Sequence, residues 1–164
     1  MSLLFKAYGS ESEVIEMIRR AVGAIVFQGN KFLIVHKTTI NTLDGKQKRK
    51  GEWDFIKGGV EENDHDIHPA LLRELQEEIG SIAYKVVKAF PDKICFDFPG
   101  EIKALIGFAK QETTMFLVEF LGDIHLLKPN DSEISGLKWV NKDNVVEILT
   151  HQETKDYFRR VIVE

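Results

Sequence analysis

Short runs of β-branched and aromatic residues alternate with polar turns along most of the chain. The runs 21–28 (AVGAIVFQ) and 31–37 (KFLIVHK) are separated by Gly29 and Asn30, a pair typical of a tight hairpin turn. We therefore expect two antiparallel strands at these positions. Comparable runs predict further strands, which fall at 52–60, 83–90, 93–98, 113–121 and 136–140.

A helical period replaces this pattern in the segment 64–80. Leu71, Leu72, Leu75 and Ile79 recur at a spacing that places them on one face of a helix. Gly80 follows directly and supplies a C-terminal stop, because glycine readily adopts the left-handed conformation that ends many helices. The segment therefore predicts one amphipathic helix between two groups of strands.

Two other segments show helical spacing: 10–20 predicts a short amphipathic helix, and 142–163 predicts one or two helices. The stretch 38–51 has no apolar period and predicts a loop. Strands, helix, strands and helix follow one another without a repeat or a long linker. This order favours an α/β (α+β) fold, a mixed sheet sandwiched between helices. We expect a single domain over 1–164, with 1–20 as an N-terminal extension.

Composition narrows the class of protein further. The 164 residues are 43% hydrophobic, enough for one core without disulfides or metals as staples. The single Cys95, the lack of a signal segment and the lack of an apolar run near 18 residues predict a cytoplasmic protein that does not enter membranes. A net charge of −4 argues against a general grip on nucleic acid and favours a small-molecule partner.

Three carboxylates share one face of the helix predicted at 64–80. Glu74, Glu77 and Glu78 stand at i, i+3 and i+4, so they fall within an arc of about 100°. Like charges this close repel unless a divalent cation neutralises them, and hard oxygen ligands suit Mg²⁺ or Mn²⁺. The alternative is a solvated acidic face.

Glycine and basic residues precede this face. Gly59 ends the strand before the helix, and Arg73 stands four residues before Glu77, which can accept its guanidinium. The loop expected at 38–51 holds a basic run, 46–50, which is either a solvated surface run or a rim that attracts phosphates.

The segment 58–80 (GGVEENDHDIHPALLRELQEEIG) closely resembles the Nudix box of the Nudix hydrolases. His65 stands where the family has its first glutamate, and Ser81 where it has an apolar residue. The matching positions are Gly59, Arg73, Glu74, Leu75, Glu77, Glu78 and Gly80.

The resemblance implies the roles of several residues. Glu74, Glu77 and Glu78 match inner metal ligands, and Glu133 matches a late glutamate that joins the metal site or acts as the base. Glu78 is the second candidate for the base, and Arg73 completes the implied catalytic group. The implied cofactor is Mg²⁺ or Mn²⁺.

The run 53–59 (WDFIKGG) looks like the entry to the box in the branch of diadenosine tetraphosphate hydrolases and RNA 5′ pyrophosphohydrolases, with Ile56 in place of proline. Gln111 matches that branch loosely, and Phe96 and Phe98 lie where it often carries a base-stacking aromatic, although core packing is the alternative. The substrate-binding residues implied are Lys57, Gly58, Gly59, Phe96 and Gln111.

The function expected from this resemblance is metal-dependent hydrolysis of a dinucleoside polyphosphate, with diadenosine tetraphosphate giving ATP and AMP. An RNA 5′ pyrophosphohydrolase is the first alternative, since the same carboxylates could act on a longer substrate. A pyrophosphatase that removes damaged nucleotides and a non-catalytic nucleotide-binding domain are the others. The expected partner is a small nucleotide, with nucleic acid only as an RNA 5′ end, and the protein is a monomer or a homodimer.

Overall fold

The computed structural model describes residues 4–8, 15–61, 63–130 and 133–163. The strands are β1 (Leu4–Tyr8), β2 (Ile15–Gln28), β3 (Lys31–Thr42), β4 (Gly45–Asp54), β5 (Ile56–Gly59), β6 (Tyr84–Asp97), β7 (Lys110–Phe120) and β8 (Ile134–Asn141). The α-helices are α1 (Ile67–Ile79), α2 (Gly100–Ile106), α3 (Val145–Ile148) and α4 (Gln152–Phe158). Shorter helical turns cover Ile124–Leu126, Lys142–Asn144 and Arg159–Val163.

All strands of the described residues belong to one mixed sheet. β4, β3, β2, β7 and β6 lie side by side in that order, while β1 and β5 also pair with β2 and β8 pairs with β3. β2 and β7 run parallel, with Ile18 opposite Lys110 and Phe27 opposite Glu119. The hairpin predicted at Gly29 and Asn30 is confirmed, because β2 and β3 pair antiparallel on either side of it.

Each face of the sheet carries its own apolar cluster. Val22 and Val26 of β2 pack with Leu71 of α1 on one face. Ile25, whose side chain points the other way, packs with Phe158 of α4 on the opposite face. Helices therefore cover both faces of a mixed sheet, which confirms the predicted fold class.

The helix predicted between the two groups of strands is confirmed as α1. The Asp66 carboxylate accepts a hydrogen bond from the Ile67 amide at 2.8 Å and caps the N-terminus. Gly80 has a φ of +68° and donates its amide to the Gln76 carbonyl at 2.9 Å, which closes the C-terminus. Local sequence signals thus fix both ends of α1.

The helix predicted over 10–20 is wrong where the structure describes it. Residues 15–20 begin β2, and residues 10–14 lie outside the described residues. Ile18 pairs with Phe5 on one side and with Lys110 on the other. Strand partners on both sides outweigh a weak helical period, because they satisfy the backbone groups and pack the side chains at once.

The loop predicted over 38–51 is also wrong. β3 continues to Thr42 and β4 starts at Gly45, so that Leu43 and Asp44 form a two-residue turn. The Thr42 hydroxyl donates to the Gly45 carbonyl at 2.6 Å and accepts from the Asp44 amide at 3.2 Å. Neither face of this hairpin is fully buried, so its strands show no hydrophobic alternation.

The strands predicted at 83–90 and 93–98 form the single strand β6, which register shifts interrupt against β7. The sequence did not predict helix α2. The residue before it is Pro99, which has no side-chain group that could cap the helix. No helix in the described ranges is both long and apolar enough to cross a membrane.

Candidate active site

A cleft of about 990 Å³ lies between α1, β5, the β3–β4 hairpin and α2. This volume is at the upper end of the usual range for small-ligand sites. Its charged part is lined by Arg19, Lys37, Lys46, Lys57, Glu61, Glu74, Glu77 and Glu133. Its apolar part, around α2 and the hairpin tip, is lined by Met17, Ile40, Leu43, Phe98, Ile102, Ile106 and Phe108.

The three glutamates of α1 differ in their surroundings. Glu74 and Glu77 line the cleft, whereas Glu78 has only 1% of its surface exposed. Glu74 lies against Gly58, where a Cβ atom would overlap the Glu74 carboxyl group. Glycine at this position of β5 therefore allows the carboxylate to approach the strand.

Arg73 connects the loop before α1 to the carboxylates. Its guanidinium donates two hydrogen bonds to Asp64, at 3.0 and 2.9 Å, and one to the Gly59 carbonyl at 3.0 Å. Nη1 also donates to Glu74 at 2.9 Å and to Glu77 at 3.2 Å. Arg73 does not line the cleft itself, so it acts here as a positioning residue.

Sequence reasoning missed Asp64 as the partner of Arg73. The hydrogen bonds from Arg73 hold the pKa of the Asp64 carboxyl below its usual value. The nine-residue separation of the two crosses a loop and half a helix, so no periodic pattern signals this contact. Arg73 therefore pairs with Asp64 of the loop before α1 and with Glu74 and Glu77 of the helix itself.

Burial raises the pKa of Glu74 to about 7, with Glu77 adding to the effect and Arg73 and Lys37 opposing it. A carboxyl group in this condition holds a proton near neutral pH unless a further cation comes close. The cleft therefore contains a desolvated acidic group that a divalent cation would favour in its ionised form.

Glu133 enters the cleft from the segment before β8. Its carboxylate lies 3.5 Å from the Lys46 ammonium. Its carbonyl accepts a hydrogen bond from the Thr38 amide at 3.4 Å, which ties this segment to β3. The structure thus brings Glu133 into the same cleft as Glu74 and Glu77, although the residues are far apart in sequence.

Lys57 is oriented differently from the expectation. Its ammonium lies 3.1 Å from Asp54 and 3.3 Å from the Thr154 hydroxyl of α4, and its side chain is 8% exposed. The side chain therefore points to the face that α4 covers, because alternation on β5 turns Lys57 away from Gly58 and Glu74. Only part of the residue reaches the cleft.

Two cations that sequence reasoning missed occupy the cleft. Lys37 donates to the Lys57 carbonyl at 3.2 Å. Burial opposes its charge, but carboxylates outweigh burial and raise its pKa, Glu78 and Asp54 most strongly. Arg19 has its pKa lowered by burial, which Glu74 and Glu133 partly offset. Because a helix was wrongly predicted over 10–20, Arg19 was not recognised as a cleft residue. Reading the segment as a strand would have assigned its side chain to one face of the sheet.

Gln111 and Phe96 lie next to the cleft but do not line it. The Arg19 guanidinium donates to the Gln111 side-chain oxygen at 2.7 Å, and Gln111 in turn donates to Thr113 at 3.1 Å. Phe96 packs against the apolar cluster on the α4 face and against Phe98, with ring centres 5.2 Å apart. Phe98 is the aromatic that reaches the cleft, and Gln111 positions Arg19.

The carboxylates are not assembled as a closed metal cage. Within the described ranges, no three His, Cys, Asp or Glu side chains converge tightly enough to hold an ion as they stand. Arg73 engages both Glu74 and Glu77. The donor set that lines the cleft, Glu74, Glu77 and Glu133, nevertheless consists of the hard oxygen ligands that Mg²⁺ and Mn²⁺ prefer.

Comparison with known proteins identifies the family of the chain. The NUDIX domain family matches residues 17–161. The RNA pyrophosphohydrolase of Gluconacetobacter diazotrophicus is 30% identical over 135 residues, which cover 79% of this chain and 80% of the relative. The RNA pyrophosphohydrolase of Bartonella bacilliformis is 27% identical over 155 residues, 87% and 89% of the two chains.

Solved structures show the same fold. The binary complex of a C. elegans Ap4A hydrolase superposes with a TM-score of 0.62 at 15% identity, over 87% of this chain and 93% of that one. At this identity the likeness concerns the fold alone. Since the family match spans most of the chain, the protein belongs to the NUDIX domain family and is a Nudix hydrolase.

Proposed function

We propose that this Nudix hydrolase removes pyrophosphate from the 5′-triphosphate end of RNA in a reaction that needs Mg²⁺ or Mn²⁺. The observation that carries the hydrolytic part is the meeting of Glu74, Glu77 and Glu133 with two half-buried cations, Arg19 and Lys37, in one cleft. Phosphoanhydride hydrolysis needs positioning and neutralisation of charge more than covalent participation of the protein.

The residues present fit a divalent cation. Glu74, Glu77 and Glu133 line the cleft, and Glu78, one helical turn beyond Glu74, is the fourth carboxylate of the proposed set. The pKa of Glu74, raised to about 7 by burial, points to a group that gains from replacing its proton with a metal ion. When bound, the ion supplies charge neutralisation for the phosphates and acidifies a water molecule.

The chain itself supplies the remaining parts of the mechanism. Arg19 and Lys37 bind phosphate oxygens, and Gln111 holds the Arg19 guanidinium in place. Glu133 takes the proton of the attacking water, with Glu78 as the second candidate for this role. Arg73 keeps Glu74 and Glu77 oriented by linking them to Asp64 and Gly59.

The choice of RNA rests on the relatives. Both curated relatives described above are named RNA pyrophosphohydrolases and align with more than three quarters of this chain. Their names reverse the order of the two candidates that the sequence alone suggested, in which a dinucleoside polyphosphate came first.

A dinucleoside polyphosphate stays the second candidate because of the apolar part of the cleft. Phe98, Ile102, Ile106 and Phe108 line the cleft around α2, and an apolar and aromatic surface of this kind suits a second nucleoside. For this substrate the products would be ATP and AMP from diadenosine tetraphosphate.

The test is a substrate panel with the purified protein and Mg²⁺. A 5′-triphosphorylated RNA octanucleotide, diadenosine tetraphosphate and an oxidised guanine nucleotide are compared by kcat/KM, and the products are separated by chromatography. We expect the RNA to be preferred by at least about tenfold, or about 1.4 kcal/mol in transition-state binding. A preference of that size for diadenosine tetraphosphate would overturn the RNA assignment while leaving the Nudix chemistry in place.

A further inference from the structure

The β3–β4 hairpin carries four cations within five residues beside the cleft. We call Lys46, Lys48, Arg49 and Lys50 the basic strip, and all four side chains are exposed. The whole chain has a net charge of −4, so this concentration of positive charge is a local feature. An acidic protein with a positive strip beside its cleft attracts polyanions to that place.

Strand register turns the start of the strip toward the cleft. Lys48 lies opposite Thr39, and directly opposite residues of an antiparallel pair project on the same face. Thr39 and Lys46 both line the cleft. Lys46 and Lys48 are two residues apart on β4, about 6.6 Å along the strand, and together they extend the charged part of the cleft outward.

The remainder of the strip sits in a bulge of β4 opposite Thr38. Lys37 pairs with Glu52 and Thr39 with Lys48, so the three residues 49–51 stand opposite Thr38 alone. The Thr38 amide donates to the Glu133 carbonyl at 3.4 Å. A bulge interrupts the ladder and redirects side chains, and such bulges often border active sites. Here it redirects Arg49 and Lys50 on the β4 side of β3, while Glu133 lies on the β8 side.

The outer part of the strip, Lys48, Arg49 and Lys50, is not neutralised by ion pairs with described residues. Among the residues that the structure describes, no carboxylate forms a salt bridge with Lys48, Arg49 or Lys50. Lysines at a sheet edge also discourage pairing with other chains. Lys85 and Lys88 of β6 lie at the opposite edge of the sheet and do not line the cleft.

We propose that the basic strip binds the phosphodiester backbone of the RNA immediately 3′ of the nucleotide whose 5′ end enters the cleft. This inference rests on the proposed function and extends it to the substrate beyond the reacting end. Successive phosphates of an extended RNA strand are spaced similarly to every second residue of a β-strand. The strip therefore makes the enzyme favour RNA of several nucleotides over a mononucleotide.

The experiment measures binding separately from hydrolysis. A 5′-monophosphorylated RNA octanucleotide and a dinucleotide, each labelled at the 3′ end, are titrated by fluorescence anisotropy over a range of salt concentrations. The double variant Lys48→Met/Lys50→Met should bind the octanucleotide about tenfold more weakly at moderate salt. Its slope of log K against log salt should be shallower by about 1.4, or about 0.7 for each lost contact.

The matched control is Lys85→Met/Lys88→Met, which removes the same charge from the opposite edge of the sheet and should leave both quantities unchanged. If the Lys48/Lys50 variant keeps the octanucleotide affinity and salt slope of the wild type, the strip only protects an edge strand and the proposal is overturned. It is also overturned if the control variant weakens binding equally, because net charge then explains the effect. Since the probe lacks a triphosphate, a failure of the proposed hydrolytic function appears only in the substrate panel.

Discussion

The two walls of the cleft are built in different ways. The first, α1 with the loop before it and β5, is cross-linked by Arg73, which binds Asp64, Gly59, Glu74 and Glu77 at once. The second, the β3–β4 hairpin with α2, is held by the antiparallel pairing of β3 with β4 and by the bond from the Leu43 amide to the Leu105 carbonyl at 2.8 Å. We call them the cross-linked wall and the hairpin wall.

The difference separates two tasks. Glu74 and Glu77, which we propose as metal ligands, lie on the cross-linked wall, whose helix packs through buried leucines onto the sheet. The hairpin wall is mostly exposed and carries lysines and apolar side chains, which we propose contact a substrate of variable length. Changes on the first wall should therefore reduce turnover, and changes on the second should mainly alter which substrate is captured.

The largest expected effect comes from Glu77→Gln on the cross-linked wall. Removing this charge should lower kcat by about a thousandfold or more, while the unfolding midpoint stays within error, because Glu77 is about half exposed and glutamine can still accept from Arg73. Glu101→Gln, on the exposed surface of α2, is the matched control. Steady-state kinetics and thermal unfolding check both, and a variant with near wild-type kcat would remove Glu77 from the site.

The next effect is a pH dependence of the free energy of unfolding of the metal-free protein, caused by Glu74. The pKa of Glu74 rises from 4.5 to about 7 on folding because of burial, so the folded state binds more protons in this window and stability falls as pH rises through it. The quantity to follow is the free energy of unfolding of the wild type minus that of Glu74→Gln. This difference should be up to about 3 kcal/mol smaller above about pH 7 than below pH 4.5. Denaturant unfolding in chelator at both ends of the window measures this. Parallel stability profiles for the two proteins would contradict it.

A smaller loss should follow Gly58→Ala. The added methyl group would overlap the Glu74 carboxyl group, which can rotate away because it ends a flexible side chain. Activity should fall by about a hundredfold through misplacement of Glu74, with little change in stability. Gly100→Ala is the control, because a Cβ there meets no atom within 4 Å. Equal activity of the two variants would show that Glu74 does not need its place against β5.

The smallest effects distinguish Lys37 from Lys57. Lys37→Met should lower kcat/KM by about tenfold and flatten its salt dependence, because a cation of the cleft is lost. Lys57→Met should instead cost about 1–3 kcal/mol of stability, because Asp54 loses its partner at 3.1 Å. Kinetics over a range of salt concentrations and denaturant unfolding of both variants separate the roles. Interchanged results would restore Lys57 as the phosphate-binding lysine.

The cross-linked wall was largely predictable from sequence. α1 follows from apolar spacing and from a glycine in the left-handed region at Gly80, all within one continuous segment. The resemblance to the Nudix box also pointed to Glu74, Glu77 and Glu78 as the candidate metal ligands. What the sequence did not reveal was the difference among them: Glu78 is buried, Glu77 is exposed and Glu74 is desolvated beside β5.

The hairpin wall was not predictable for a physical reason. Neither face of its strands is fully buried, so residues 38–51 show no alternation and resemble a loop. Arg19 lies on a strand whose residues also satisfy a helical period, and only pairing with β1 and β7 decides between the two. The direction of Lys57 depends on a strand of four residues, too short to give a pattern.

Dependence on a divalent cation distinguishes this assignment of the cross-linked wall from a purely nucleotide-binding role. Pyrophosphate release from 5′-triphosphorylated RNA is followed while Mg²⁺ is titrated into the metal-free wild type and into Glu77→Gln. We predict saturable activation of the wild type, loss of its turnover in excess chelator, and a Glu77→Gln protein that stays folded but is hardly activated. Undiminished wild-type turnover in excess chelator, or equal activation of the two proteins, would contradict the assignment of Glu74 and Glu77 to a metal-dependent hydrolytic site.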